Sequence, residues 1–95
     1  MNRLDHLLWL ISEESNELAQ RASKAARFGI NEIQEGQKLT NYARLKYEAN
    51  DLLAVLEMLC DELKVSSILD GKAIKLKKEK VEKYLEYSRK LGLLE

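Results

Sequence analysis

From Leu4 onward the apolar residues recur at intervals of three and four: Leu4, Leu7, Leu8, Ile11, Leu18, Ala22, Ala25 and Ala26. That is the spacing of one helical face, and it predicts a first helix from about Asn2 to Arg27. Gly29 supplies the stop, because glycine takes a left-handed conformation without a Cβ penalty, and Lys24 and Arg27 complement the dipole of the last turns. Residues 29–39 hold two glycines, Asn31 and mixed polar side chains. They read as a connecting loop, long for a helical hairpin and of a length that tends to carry function. Thr40 is a candidate N-cap, its hydroxyl able to satisfy a free amide of a second helix that runs to about Lys64. The apolar set of that helix is Leu45, Leu52, Val55, Leu56, Leu59 and Leu63, with Ala49 and Cys60 on one flank. A short break at Ser66, Ser67, Asp70 and Gly71 precedes a third helix, surest over residues 77–91. There Val81, Tyr84, Leu85 and Ser88 share a face and Gly92 follows. Ile74 and Leu76 alternate with lysines, so the pattern leaves the start of this helix undefined.

Composition agrees with an all-α fold. The chain has no proline and four glycines, too few turn formers for the many reversals of an all-β fold. Its 95 residues fit a single domain, residues 1–95, which buries only about two-thirds of the surface of the unfolded chain and is marginal as a monomer. Two helices of about 24 residues, each about 36 Å long, plus a shorter third cannot enclose a four-sided core. The expected architecture is therefore an antiparallel helical hairpin plus a C-terminal helix. Oligomerisation completes a four-helix-bundle-type core, with a two-fold dimer as the minimum.

Formal net charge is zero, so no global field draws the chain toward nucleic acid or an acidic membrane. The distribution is uneven: residues 1–71 carry eight Lys/Arg against twelve Asp/Glu, and residues 72–95 carry eight against four. Lys75, Lys77, Lys78, Lys80 and Lys83 are scattered around the third helix, which points to a solvated surface and not to a stable nucleic-acid partner. On the same helix Tyr84 and Tyr87 are expected to pack and cap the bundle. Cys60 stands alone and reads as a buried apolar residue, so no intramolecular disulfide is available. No signal-peptide pattern is seen, and no stretch approaches the roughly 20 apolar residues that span a bilayer, so no membrane partner and a cytoplasmic location are expected. Trp9 lies opposite the first helix's apolar stripe, a candidate for a subunit interface ahead of a base-binding surface.

Chemistry enters where the periodicity is broken. Along the first helix the inward series runs Leu4, Leu7, Ile11, Glu14, Leu18, and along the second it runs Leu45, Glu48, Leu52, Val55, Leu59. Each series places a glutamate where an apolar residue belongs. Each intruder has a second carboxylate three residues on, Glu17 and Asp51, one turn away on the helix surface. Burying ionised carboxylates uncompensated is costly, and four of them converging repel one another, so a cation is expected between them. An all-oxygen set suits Mg2+, with Mn2+ a possible substitute. Zinc fits poorly, since the lone His6 belongs to no ligand spacing, and a di-iron bundle would need Glu-x-x-His pairs that are absent. The plain alternative is that these acids lie at the helix edges and pair with Arg21, Arg44 or a lysine of the tail.

Glu13-Glu14-Ser15-Asn16-Glu17 followed by Glu48-Ala49-Asn50-Asp51 resembles the EExxE and ExxD signature of MazG-like, all-α nucleoside triphosphate pyrophosphohydrolases. The similarity runs on through residues 19–29 and 50–55, and residues 80–85 look like the tail of small phage-type members. The interval between Glu17 and Glu48 is longer than in the tightest form of that pattern. The resemblance implies Mg2+-dependent cleavage of a nucleoside triphosphate between its α and β phosphates, giving a monophosphate and pyrophosphate. It also implies that Glu14, Glu17, Glu48 and Asp51 hold the metal, the four residues that the periodicity selects. Glu14 would then act in catalysis as well. Glu13 either orients water or is a surface carboxylate. Arg21, Lys24 and Arg27 are candidates for phosphate oxygens, against ordinary intrahelical pairing such as Glu17 with Arg21. Asn50 either binds sugar or phosphate or sits exposed. A homodimer or homotetramer is expected. The rival function is a non-catalytic helical oligomeric interaction module with a basic tail.

Overall fold

The computed structural model describes residues 1–95 as three α-helices, α1 (Arg3–Phe28), α2 (Asn41–Leu63) and α3 (Gly71–Lys90), with no strand. Every helix opens on a side-chain cap. Asn2 Oδ1 accepts the Asp5 amide at 2.8 Å, Thr40 Oγ1 the Ala43 amide at 3.1 Å, and Asp70 Oδ1 the Ala73 amide at 3.0 Å. The Asp70 cap corrects the reading of residues 66–71 as a break throughout, because α3 begins at Gly71 itself. A good cap contributes about 1 kcal/mol, enough to offset the similar cost of a glycine in the first turn.

Two helices close on the same hydrogen-bond pattern. After α2 the Lys64 amide donates to Asp61 O at 3.2 Å and the Val65 amide to Cys60 O at 3.1 Å. After α3 Gly92 donates to Arg89 O and Leu93 to Ser88 O, both at 3.0 Å. The pivot of this motif must be left-handed. Gly92 meets that demand with φ 78°, whereas at the end of α2 a lysine does so, Lys64 with φ 56°.

α1 and α2 form an antiparallel hairpin, since Arg3 at the start of one pairs with Glu62 at the end of the other at 2.8 Å. Leu7, Ile11, Leu18 and Ala25 of α1 face inward and are buried or half-buried, as are Leu45, Ala49, Leu52, Leu56, Leu59 and Cys60 of α2. The far end is tied by Asn41, 2% exposed, whose Nδ2 donates to Gly29 O at 2.8 Å and to Glu32 Oε1 at 3.2 Å. Backbone amides of Asn41 and Tyr42 reach Glu32 O and Ile30 O at 2.9 and 3.0 Å. The connecting loop thus satisfies the first free amides of α2, and Arg44 adds a bond to Gln34 Oε1 at 2.9 Å.

α3 packs against neither α1 nor α2. The expectation that Tyr84 and Tyr87 pack and cap a bundle is not met within one chain, where they are 57% and 59% exposed. The radius of gyration is 16.7 Å; a compact chain of this length has about 12 Å. Only Leu7, Ala25, Asn41 and Cys60 are buried. No helix is long and apolar enough to cross a membrane.

Asn41→Ala removes the side-chain bonds to Gly29 O and Glu32 Oε1 and so breaks the tie at the closed end of the hairpin. The expected loss is about 1–3 kcal/mol, a drop in Tm of several degrees by thermal melting. A melting curve superimposable on that of the wild type would contradict this role.

Candidate functional site

Midway along the hairpin the apolar seam is interrupted. Glu14 lies between Ile11 and Leu18, and Glu48 between Leu45 and Leu52; all six side chains are half-buried. Glu17, one turn beyond Glu14, is exposed. Carboxylate oxygens of Glu14, Glu17 and Glu48 lie within 4.8 Å of one another. Asp51 stands outside that trio on the exposed side of α2. Three of the four acids singled out by the sequence therefore converge, and the fourth borders them.

The electrostatics of the cluster follow from burial and like charge. The carboxyl of Glu14 is held above its ordinary range first by desolvation and then by the charges of Glu17 and Asp51, with smaller contributions from a hydrogen bond shared with Glu17 and from Glu13. That of Glu48 is raised first by desolvation, next by a hydrogen bond that its protonated form gives Glu17, and then by the charges of Glu17, Asp51 and Glu14. Asp51 thus acts on both seam acids from outside the trio.

Nothing in the chain compensates these charges. Glu14 Oε2 and Glu48 Oε2 are covered by neighbouring atoms and take part in no hydrogen bond. The two ion pairs of the molecule are Arg3–Glu62 and Arg89–Glu86, far from the cluster in sequence. Pairing of the acids with Arg21, Arg44 or a tail lysine does not occur: Arg44 is engaged with Gln34, and α3 stands off the hairpin. Arg21 follows Leu18 in the same seam, half-buried, and its Nη1 is also covered and without a partner. The donor set is one that could hold a hard divalent cation, because two covered carboxylate oxygens and a third acid nearby present only oxygen ligands.

The remaining candidates lie around this centre. Glu13 is exposed and reaches the cluster only through its charge on Glu14. Lys24 and Arg27 border a shallow concavity on α1 with Gln20 and Ser23, and the Arg27 guanidinium rests 4.9 Å from the centre of the Phe28 ring. Asn50 is exposed, and its Nδ2 donates to Lys46 O at 2.8 Å within α2. It lines an open cavity of about 410 Å³ with Leu39, Ala43, Lys46 and Tyr47. Sequence reasoning missed Leu39, Lys46 and Tyr47. Their signal is the run 39, 43, 46, 47, 50, a second stripe at helical spacing on the outer flank of α2. No family model, curated protein or solved structure matches this chain.

Both seam acids carry raised folded-state values, so without metal the folded state binds more protons than the unfolded chain above the ordinary value of 4.5. Stability should therefore be greatest below that pH and fall as pH rises through the raised values. Thermal melts from pH 4 to pH 8 in a chelator should show this decline, and Glu48→Gln should flatten it and raise Tm at pH 7. A variant less stable than wild type at pH 7 would mean that the acids are not in conflict.

Proposed function

We propose that the hairpin binds Mg2+, or Mn2+ in its place, through Glu14, Glu17, Glu48 and Asp51 and hydrolyses nucleoside triphosphates to monophosphate and pyrophosphate, as the MazG-like resemblance implies. The observation that carries this reading is the convergence of three carboxylates from two helices with two covered oxygens that nothing in the chain satisfies. Convergent acids without cationic partners are unstable in a protein interior and become an asset only around a cation.

Bound Mg2+ supplies charge neutralisation for phosphate oxygens and lowers the pKa of a bound water. The chain's own part is to hold and orient. Leu18 and Ile11 fix Glu14 in the seam, as Leu45 and Leu52 fix Glu48, so the ligand oxygens sit on rigid helices and not on loops. Glu14, with Glu13 beside it, is the candidate to orient the attacking water. Arg21, unpaired and half-buried in the same seam, is the first candidate for a phosphate oxygen, and Lys24 and Arg27 extend that positive edge along α1. On the α2 side Asn50 and Tyr47 border a cavity of about 410 Å³ that suits a nucleoside better than a phosphate, being lined mainly by apolar and aromatic surface. The protein would act in the cytoplasm on the nucleotide pool, as a homodimer or homotetramer that pairs hairpins into a four-helix core.

A second reading, the non-catalytic interaction module, is favoured by one observation: α3 is a basic helix held clear of the hairpin. The two readings differ in metal dependence. For the enzyme, Mg2+ or Mn2+ at a hundred times its Kd should stabilise the fold by about 2.7 kcal/mol. Calorimetric heats should vanish in Glu48→Gln. Pyrophosphate release from a panel of ribo- and deoxyribonucleoside triphosphates should require the metal and fall by about two orders of magnitude in Asp51→Asn, the scale of removing one electrostatic partner of a transition state. Turnover in chelator, or undiminished turnover in Asp51→Asn, would eliminate the enzymatic reading.

A further inference from the structure

α3 is an amphipathic helix without a partner. Ile74, Val81, Tyr84 and Leu85 lie along one side of it at helical spacing and are all exposed. Its position is set by the joint that carries it. The Lys64 and Val65 amides lock the end of α2, Ser67 Oγ accepts the Leu69 amide at 3.1 Å, and Asp70 caps the new helix. Val65 and Ser67 line a cavity together with Glu57, Cys60 and Asp61 of α2. These bonds fix the end of α2 and the start of α3, with the Ser67–Leu69 turn between them.

We propose that α3 is an exchanged arm, whose Ile74–Val81–Leu85 stripe packs on the hairpin of a second copy of this chain while its own hairpin receives the arm of that copy. Two further observations fit a second copy as the occupant. The chain exposes 7796 Å², whereas a compact monomer of its mass exposes about 5,600 Å². If each of two copies hides that excess, the interface totals about 4,400 Å², within the range of obligate homodimers and well above that of transient contacts. The charges also match. Residues 72–95 carry four more bases than acids and residues 1–71 four more acids than bases, so the arm of one copy is complementary to the body of another.

The reciprocal exchange is closed by two-fold symmetry, which explains how an arm with an apolar stripe avoids open-ended assembly. It differs from simple hairpin pairing, which leaves α3 free. The test uses the full chain at several concentrations in sedimentation equilibrium, together with a photo-crosslinking residue at Tyr84 in a mixture of isotopically heavy and light protein. Wild type should sediment at a multiple of 11.0 kDa, and crosslinks should join heavy to light chains. The double variant Val81→Glu/Leu85→Glu should sediment as monomer while retaining the helical circular dichroism of the hairpin. Should that variant melt out, Val81→Ala/Leu85→Ala should still weaken association at least tenfold. An oligomer indifferent to both variants would leave hairpin pairing intact and overturn the arm. Crosslinks confined to single chains would show α3 folded on its own hairpin, and a monomer at every concentration would overturn both the arm and the paired hairpins. None of these outcomes bears on metal binding, which calorimetry reads separately.

Discussion

The hairpin is built around a conflict between packing and charge. α1 and α2 meet along a continuous apolar seam except at one level, where two glutamates take positions that the helical period assigns to leucine. Carboxylates placed so close raise one another's proton affinity and push the helices apart. What keeps the helices together lies on either side: Leu7, Ile11 and Cys60 with the Arg3–Glu62 pair toward one end, Ala25 and the Asn41 tie toward the other. An apolar pair at the glutamate level would have continued the seam without that conflict. The sequence keeps the acids, and the structure around them is stiffened at both ends.

Much of this was legible from residues alone. Periodicity marks α1 and α2 to within a residue or so, and Thr40 and Gly92 act as the cap and the stop that their chemistry suggests. The interruption at Glu14 and Glu48 is equally plain, because a polar residue in a strict three-four series has nowhere to go but inward. Two features of the hairpin and its continuation escaped. The start of α3 was hidden because Asp70-Gly71 has the composition of a turn, and only the geometry of the Asp70 side chain distinguishes a cap from a loop. The role of Asn41 depends on the path of a loop that no period describes.

The separation of α3 was the least legible of all. An amphipathic helix reports that it has a partner and says nothing about where that partner is. Tyr84 and Leu85 would show the same pattern whether they covered their own hairpin, another copy, or nothing. The direction of the helix is decided by seven residues between Leu63 and Gly71, whose apolar members Val65, Ile68 and Leu69 are all exposed and whose hydrogen bonds are local.

Lys64 gives that connection a mechanical character. A glycine at the left-handed position after α2 would turn freely between several basins and act as a swivel. A lysine there accepts a steric penalty of about 1 kcal/mol, and in return its Cβ closes off most neighbouring backbone angles. At its own position, the first of the seven residues that lead to the third helix, the chain therefore behaves as a bracket and not as a swivel. A partner that meets the exposed side of that helix has less orientational freedom to freeze at this one position than a glycine there would leave.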